Sequence, residues 1–156
     1  MMTHDFSLRP MTEDDRDAVL SMMREFYASP ALIGCPEESI RVRDFEDCVG
    51  DCPFVHGYML LRGGETAGYA MTAESYSTEA GGRCLWVEDL YLLPEHRGQG
   101  LGSAFFDALR EQTRGVYARY RLEAERENEK ALRTYGRAGY KELAYLQLVL
   151  EEPRRL

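Results

Sequence analysis

Between a strand-like run, Leu85 to Leu93, and a helix-like run beginning near Leu101, the chain reads Arg97-Gly98-Gln99-Gly100-Leu101-Gly102. No other stretch restricts the fold so tightly. Three glycines at alternate positions remove every Cβ from one side of a strand-to-helix turn. Backbone N–H groups are then free to close around an anion, and the helix N-terminus adds its partial positive charge. Such a turn suits a diphosphate. Two familiar phosphate loops are excluded by detail. A Walker loop ends in Gly-Lys-Ser/Thr, whereas Gly102 is followed by Ser103 with no lysine. A dinucleotide-binding turn needs its third glycine where Ser103 stands and follows its strand directly, without an insert such as Leu93-Pro94-Glu95-His96. What remains is Arg-x-x-Gly-x-Gly behind a strand and a proline-containing turn.

The rest of the chain reads as alternating strands and helices. Phe6 to Pro10 is a short strand. Thr12 followed by Glu13, Asp14 and Asp15 marks a helix N-terminus, and Val19, Met22, Met23 and Phe26 recur at helical spacing. Past Pro30 and Gly34-Cys35-Pro36, a second amphipathic helix is expected over Glu37 to Val49. Phe54 to Leu61 and Thr66 to Tyr76 are β-like runs joined by Arg62-Gly63-Gly64-Glu65, a hairpin signal. Arg83 to Leu93 feeds the glycine loop. The helix after it carries Leu101, Phe105, Ala108, Leu109 and Gln112 on one face and ends by Gly115. Tyr117 to Glu125 reads as a strand, Asn128 to Ala138 as a helix closed by Gly139, and Tyr140 to Glu151 as a terminal strand region. No linker, repeat or low-complexity tract interrupts residues 1–156, so one domain is expected.

Composition narrows the partners. A formal charge of −8 disfavours nucleic acid and anionic membranes and is compatible with a cationic substrate. No apolar run approaches the ~18 residues of a membrane span. Cys35, Cys48, Cys52 and Cys84 are scattered without a His or Cys cluster, which points to reduced cytoplasmic thiols and no metal.

Arg97 to Gly102 resembles motif A of the GNAT superfamily of acyl-CoA-dependent N-acetyltransferases, Gln/Arg-x-x-Gly-x-Gly/Ala. A second stretch, Asn128 to Tyr140, is similar to that family's motif B, Asn-x-x-Ala-x-x-x-Tyr-x-x-x-Gly-Phe/Tyr, with every position present. Glu88-Asp89-Leu90-Tyr91-Leu92 before Pro94 resembles the polyamine acetyltransferase branch in particular. The resemblance implies an α/β (α+β) GNAT fold: a mixed, mostly antiparallel sheet of six to seven strands with about four flanking helices.

It further implies acetyl-CoA as co-substrate. Its diphosphate would lie on Arg97, Gly98, Gln99, Gly100, Leu101, Gly102 and Ser103, and its pantetheine along the backbone of Leu90, Tyr91 and Leu92, past Asn128 and Ala131. Glu88 would act as base on the amine, directly or through water, and Tyr135 as acid on the departing thiol. Alternation along a strand puts Glu88 and Asp89 on opposite faces, so the two acids are not expected to share a role. Tyr27, Glu74 and Tyr76, with Glu88, are candidate acceptor-lining residues. The expected reaction is acetyl transfer to a primary amine of a small cationic molecule. The alternatives are peptide or protein N-termini and lysines, or a non-catalytic acyl-CoA sensor. Tyr145 to Leu150 is apolar at nearly every position, and an exposed edge strand of that kind invites association. A homodimer is therefore expected, with this segment buried in the sheet or against a second subunit.

Overall fold

The structure is a computed structural model describing residues 5–30 and 36–152 of the chain. Gly34 and Cys35 lie outside the described residues. Five strands form one sheet in sequence order: β1 (Phe6–Pro10), β2 (Val55–Arg62), β3 (Glu65–Ser77), β4 (Gly82–Leu92) and β5 (Arg119–Leu122). The first four pair antiparallel, and β5 lies parallel to β4. The β2–β3 turn is built on Gly63 and Gly64, at φ +58° and +83°, the left-handed pair that a two-residue hairpin demands.

Helices α1 (Arg16–Tyr27) and α2 (Glu38–Val49) cover one face, and α3 (Leu101–Gln112) and α4 (Glu129–Arg137) the other. The Asp15 carboxylate, gripped by Arg9, accepts the N–H of Thr12 at 2.8 Å and fixes the entry to α1. Val19, Met22 and Met23 of α1 and Phe45 of α2 pack on Met59, Tyr69, Met71 and Tyr91 of the sheet. On the opposite face Phe105, Phe106 and Leu109 of α3 meet Leu8, Leu60, Ala70, Leu85 and Val87. Fully buried side chains of this size contribute about 1.5–3 kcal/mol each.

One expectation fails. The terminal strand region Tyr140 to Glu151 forms no strand, so the sheet among the described residues has five strands rather than six or seven. Tyr145 to Leu150 is exposed instead of buried in the sheet. A strand is held by its neighbour's backbone, and this segment makes no ladder with β5, which among the described residues pairs with β4 alone.

Candidate active site

The site is a wedge opened by two irregularities of β4. Its pairing with β5 runs from Cys84↔Arg119 to Val87↔Leu122 and stops, so the strands part beyond Val87. At the same point the register with β3 slips: Val87 faces Thr72, Asp89 faces Met71, and Glu88 faces no residue. A bulge of this kind re-aims side chains. Before it, Leu85 and Val87 pack toward α3; after it, the odd-numbered Tyr91 packs toward α1.

A cavity of about 660 Å³ fills the wedge. Glu88, Leu90 and Leu92 form one wall, Arg97, Gly98 and residues 100–103 its end, and Asn128, Ala131 and Tyr135 the other wall. Gly98 and Gly100 stand at φ +72° and +81°, and a Cβ on either would meet nothing within 4 Å, so the loop's concave side is open. Gly100 caps α3 in the left-handed conformation. The six backbone N–H groups from Gly98 to Ser103 have no acceptor among the described residues. Aligned N–H groups at the start of a twelve-residue helix make an anion cradle.

Gly102 has a different part from its neighbours. A Cβ there would stand 3.3 Å from Thr134 Cγ2, so this glycine lets α4 approach α3. Gln99 does not line the cavity. Its Oε1 accepts from Arg62 and its Nε2 donates to the Glu95 carbonyl at 2.8 Å, bracing the loop from behind. Arg97 donates Nε to the Leu92 carbonyl at 2.9 Å and lies over the Tyr91 ring. The Tyr91 hydroxyl is engaged on the α1 side by Glu25 at 2.6 Å, although the residue borders an adjoining cavity beside Arg97 and Asn128.

Asn128 caps α4, its Oδ1 accepting the N–H of Ala131 at 3.3 Å. Tyr135 follows one turn after Ala131 and packs edge-on against Phe106, with ring centroids 5.6 Å apart. Its hydroxyl has no hydrogen-bond partner among the described residues. Burial raises its pKa above the usual 10.0, so it stays protonated at neutral pH. Glu88 across the cavity has its pKa raised as well, by desolvation first and then by the charges of Glu123 and Asp44.

Asp89 is turned into the core. It is 4% exposed, and its carboxylate accepts the hydroxyls of Tyr27 at 2.9 Å and Tyr69 at 2.8 Å. Burial pushes its pKa up to about 6 against the opposing pull of the two hydroxyls. The remaining acceptor candidates are not brought together. Tyr27 has its hydroxyl on Asp89. Glu74 accepts from His56, Arg83 and Tyr117 on the α3 side of the sheet, and Tyr76 is 66% exposed. Sequence reasoning missed Glu123, Asp44 and the bases Lys130, Arg133 and Arg137, which line the cavity along α4. The spacing of those bases, three and four residues apart, is that of one helix face and was there to be read.

The model for the acetyltransferase (GNAT) family matches residues 18–140. This chain belongs to the GNAT acetyltransferases. The thialysine N-epsilon-acetyltransferase of Sus scrofa is 32% identical over 149 residues, 87% of this chain and 84% of that protein. The Bos taurus protein of the same name is 35% identical over 107 residues, 62% of this chain and 60% of its own length. Among solved structures, a possible acetyltransferase from Clostridium difficile 630 superposes with a TM-score of 0.80 at 17% identity, covering 96% of this chain and 99% of that one. AAC(6')-Iy, solved with the bisubstrate analog CoA-S-monomethyl-acetylneamine, gives 0.74 at 14% identity over 95% and 99% of the two chains. The GNAT acetyltransferase is an N-acetyltransferase whose donor is acetyl-CoA. The cavity fits that donor: a row of N–H groups without acceptors among the described residues for a diphosphate, a β4 edge left unpaired by β5 beyond Val87 for the pantetheine amides, and a basic helix face beside both.

Proposed function

We propose that the chain transfers the acetyl group of acetyl-CoA directly to a primary amine of a small cationic molecule, with Glu88 on the amine side and Tyr135 on the thiol side. The observation that carries this reading is the cavity lined by Glu88 and Glu123 together with Tyr135, whose hydroxyl has no hydrogen-bond partner among the described residues; desolvation raises the Glu88 pKa there. A primary amine is an ammonium ion at neutral pH and must lose a proton before it attacks a thioester carbonyl. Desolvation and two neighbouring carboxylates make Glu88 a better base, and the same negative charge attracts a cation. The amine nitrogen forms its bond to the carbonyl carbon, the carbon–sulfur bond breaks, Tyr135 hands its proton to the leaving sulfur, and the second proton that the nitrogen releases passes through solvent to restore the Tyr135 hydroxyl. Unpaired backbone groups of β4 beyond Val87 supply donors for the carbonyl oxygen. Relatives named for thialysine support a small amine over a peptide as acceptor.

Glu88→Gln keeps the shape and removes the base. Turnover should fall by about 10²-fold or more while CoA affinity is unchanged, and the loss should shrink as pH rises and neutral amine accumulates. Tyr135→Phe should lower turnover less, because a thiolate leaves unaided, and without that rescue. Steady-state rates against pH read both, and a Glu88→Gln enzyme with full activity at neutral pH removes the assignment.

The homodimer and the cytoplasmic setting belong to the same reading. Cys48, Cys52 and Cys84 are free thiols, as a reducing compartment leaves them. The exposed apolar segment that ends the described chain asks for a second copy.

A further inference from the structure

Arg121, on β5, has a stacking partner but no acid among the described residues. Its guanidinium lies over the ring of Trp86, 4.3 Å from the centroid, and makes no hydrogen bond or ion pair with them. The arginines near it in sequence are engaged: Arg119 holds Glu79 at 3.1 Å and Arg126 holds Glu142 at 2.8 Å. Glu79, the carboxylate whose field reaches Arg121, has its other oxygen taken by the Tyr145 hydroxyl at 2.9 Å. The platform is fixed, since Trp86 donates Nε1 to the Ser75 hydroxyl at 3.2 Å. An arginine stacked in this way keeps the edge of its fork open, and that edge matches a carboxylate in two parallel hydrogen bonds.

The position of this fork gives it a use. Trp86 and Arg121 face each other in the β4–β5 ladder, one step before it stops. Two positions further along each segment stand Glu88 and Glu123, whose charges meet in the wedge. Positive charge at the ladder therefore gives way to negative charge about 7 Å on, by strand spacing. The cavity of about 610 Å³ that Trp86 and Arg121 line shares Leu122, Glu123 and Tyr135 with the wedge, so the two spaces adjoin. A purely cationic amine finds a partner at one end of this path only. A molecule with a carboxylate at one end and an amine at the other finds a partner at both.

We propose that Arg121, stacked on Trp86, binds the carboxylate of the acceptor, which makes the acceptor an amino acid that carries its reactive amine at the end of a side chain of about four atoms. The proposal rests on the reading that Glu88 takes the amine, and adds the group that selects the rest of the molecule. An extended stem of that length covers the distance from the ladder to the wedge. Two ammonium groups against one carboxylate leave such a molecule with a net positive charge, so the attraction of Glu88 and Glu123 is kept. The side-chain nitrogen is the one acetylated, because the α-nitrogen shares a carbon with the carboxylate and stays at the Arg121 end. The transfer step itself is unchanged.

Two pairs of acceptors that differ only in the carboxylate test this: L-lysine against cadaverine, and L-thialysine against the diamine left by its decarboxylation. Steady-state rates with acetyl-CoA are measured on the full chain and on Arg121→Gln, and fragment mass spectrometry locates the acetylated nitrogen. The wild type should favour the amino acid of each pair by about tenfold or more in kcat/KM, the worth of a charge-assisted pair of hydrogen bonds. Arg121→Gln should lose that preference through KM, with kcat and the diamine rates little changed. Trp86 is the only tryptophan of the chain, so its fluorescence reads the same contact without turnover. With CoA bound, lysine and thialysine should shift the wild-type emission, and the two diamines at matched concentration should not. Equal shifts overturn the proposal even where the variant does not fold. A wild type that takes the diamines as well as the amino acids, or an Arg121→Gln enzyme that keeps the preference, overturns the role of Arg121 and leaves the amine reading standing. A wild type that acetylates none of these compounds overturns both.

Discussion

Glu88 and Asp89 are adjacent acids with different surroundings: alternation along the strand gives them opposite faces, and the bulge at Glu88 decides which face each takes. Glu88 borders the wedge, whereas Asp89 is buried under two tyrosine hydroxyls with its pKa moved from 3.8 to about 6. That shift has a sign. Between pH 4 and pH 6 the folded protein keeps the Asp89 proton and the unfolded chain has lost it, so the contribution of this one group to stability is fully present below about pH 4 and is lost as pH rises through 6. Two units correspond to roughly 3 kcal/mol, as an order of magnitude. Asp89→Asn keeps an oxygen acceptor and removes the titration. Urea unfolding from pH 4 to pH 7 should show the wild type losing roughly 2–3 kcal/mol relative to the variant. A stability difference that does not change with pH contradicts the burial account of Asp89. The motif residues were legible because their spacing is local. Asp89's partners were not: Tyr27 and Tyr69 stand 62 and 20 positions away, and nothing in the local pattern joins them.

Elements whose causes are local were read to within a residue or two. The Gly63-Gly64 turn, the Thr12 entry to α1 and the Asn128 cap of α4 all act over four residues or fewer. The terminal strand was misread for the opposite reason: its composition is right for a strand, but a strand exists only where an edge receives it. The bulge at Glu88 also escaped, since it depends on pairing with β3 and leaves no mark in the β4 sequence. The glycine loop supplies the test at this scale. Gly100 is left-handed, and a β-branched residue there costs about 1–3 kcal/mol of backbone strain. Gly100→Val should lower stability by that amount and weaken CoA binding about tenfold or more, the worth of one hydrogen bond to a charged group. Calorimetric titration with CoA reads the loss. Unchanged affinity would put the diphosphate somewhere other than this loop. Gly102→Leu should act differently, pressing on Thr134 and displacing α4 with Tyr135, so turnover falls more than CoA affinity.

At the scale of the whole molecule, the sheet separates two layers of chemistry. The α3–α4 side carries the anion cradle and the tyrosine, the α1–α2 side carries the buried Asp89 network, and the parting of β4 from β5 opens a passage where the two meet. No helix among the described residues is long and apolar enough to cross a membrane. Donor and reaction class are those of the family, and on the proposed reading acceptor choice depends on acids contributed by α2, β4 and the segment after β5. The most direct test is therefore a competition. The full chain is incubated with acetyl-CoA and an equimolar mixture of thialysine, lysine, linear di- and polyamines, neutral amines and short peptides, and products are identified by mass spectrometry. Single acetylation of the small cationic amines, ahead of neutral amines and peptides, is the predicted result. Acetylation confined to peptides, or no acetylated product from any amine, contradicts the account.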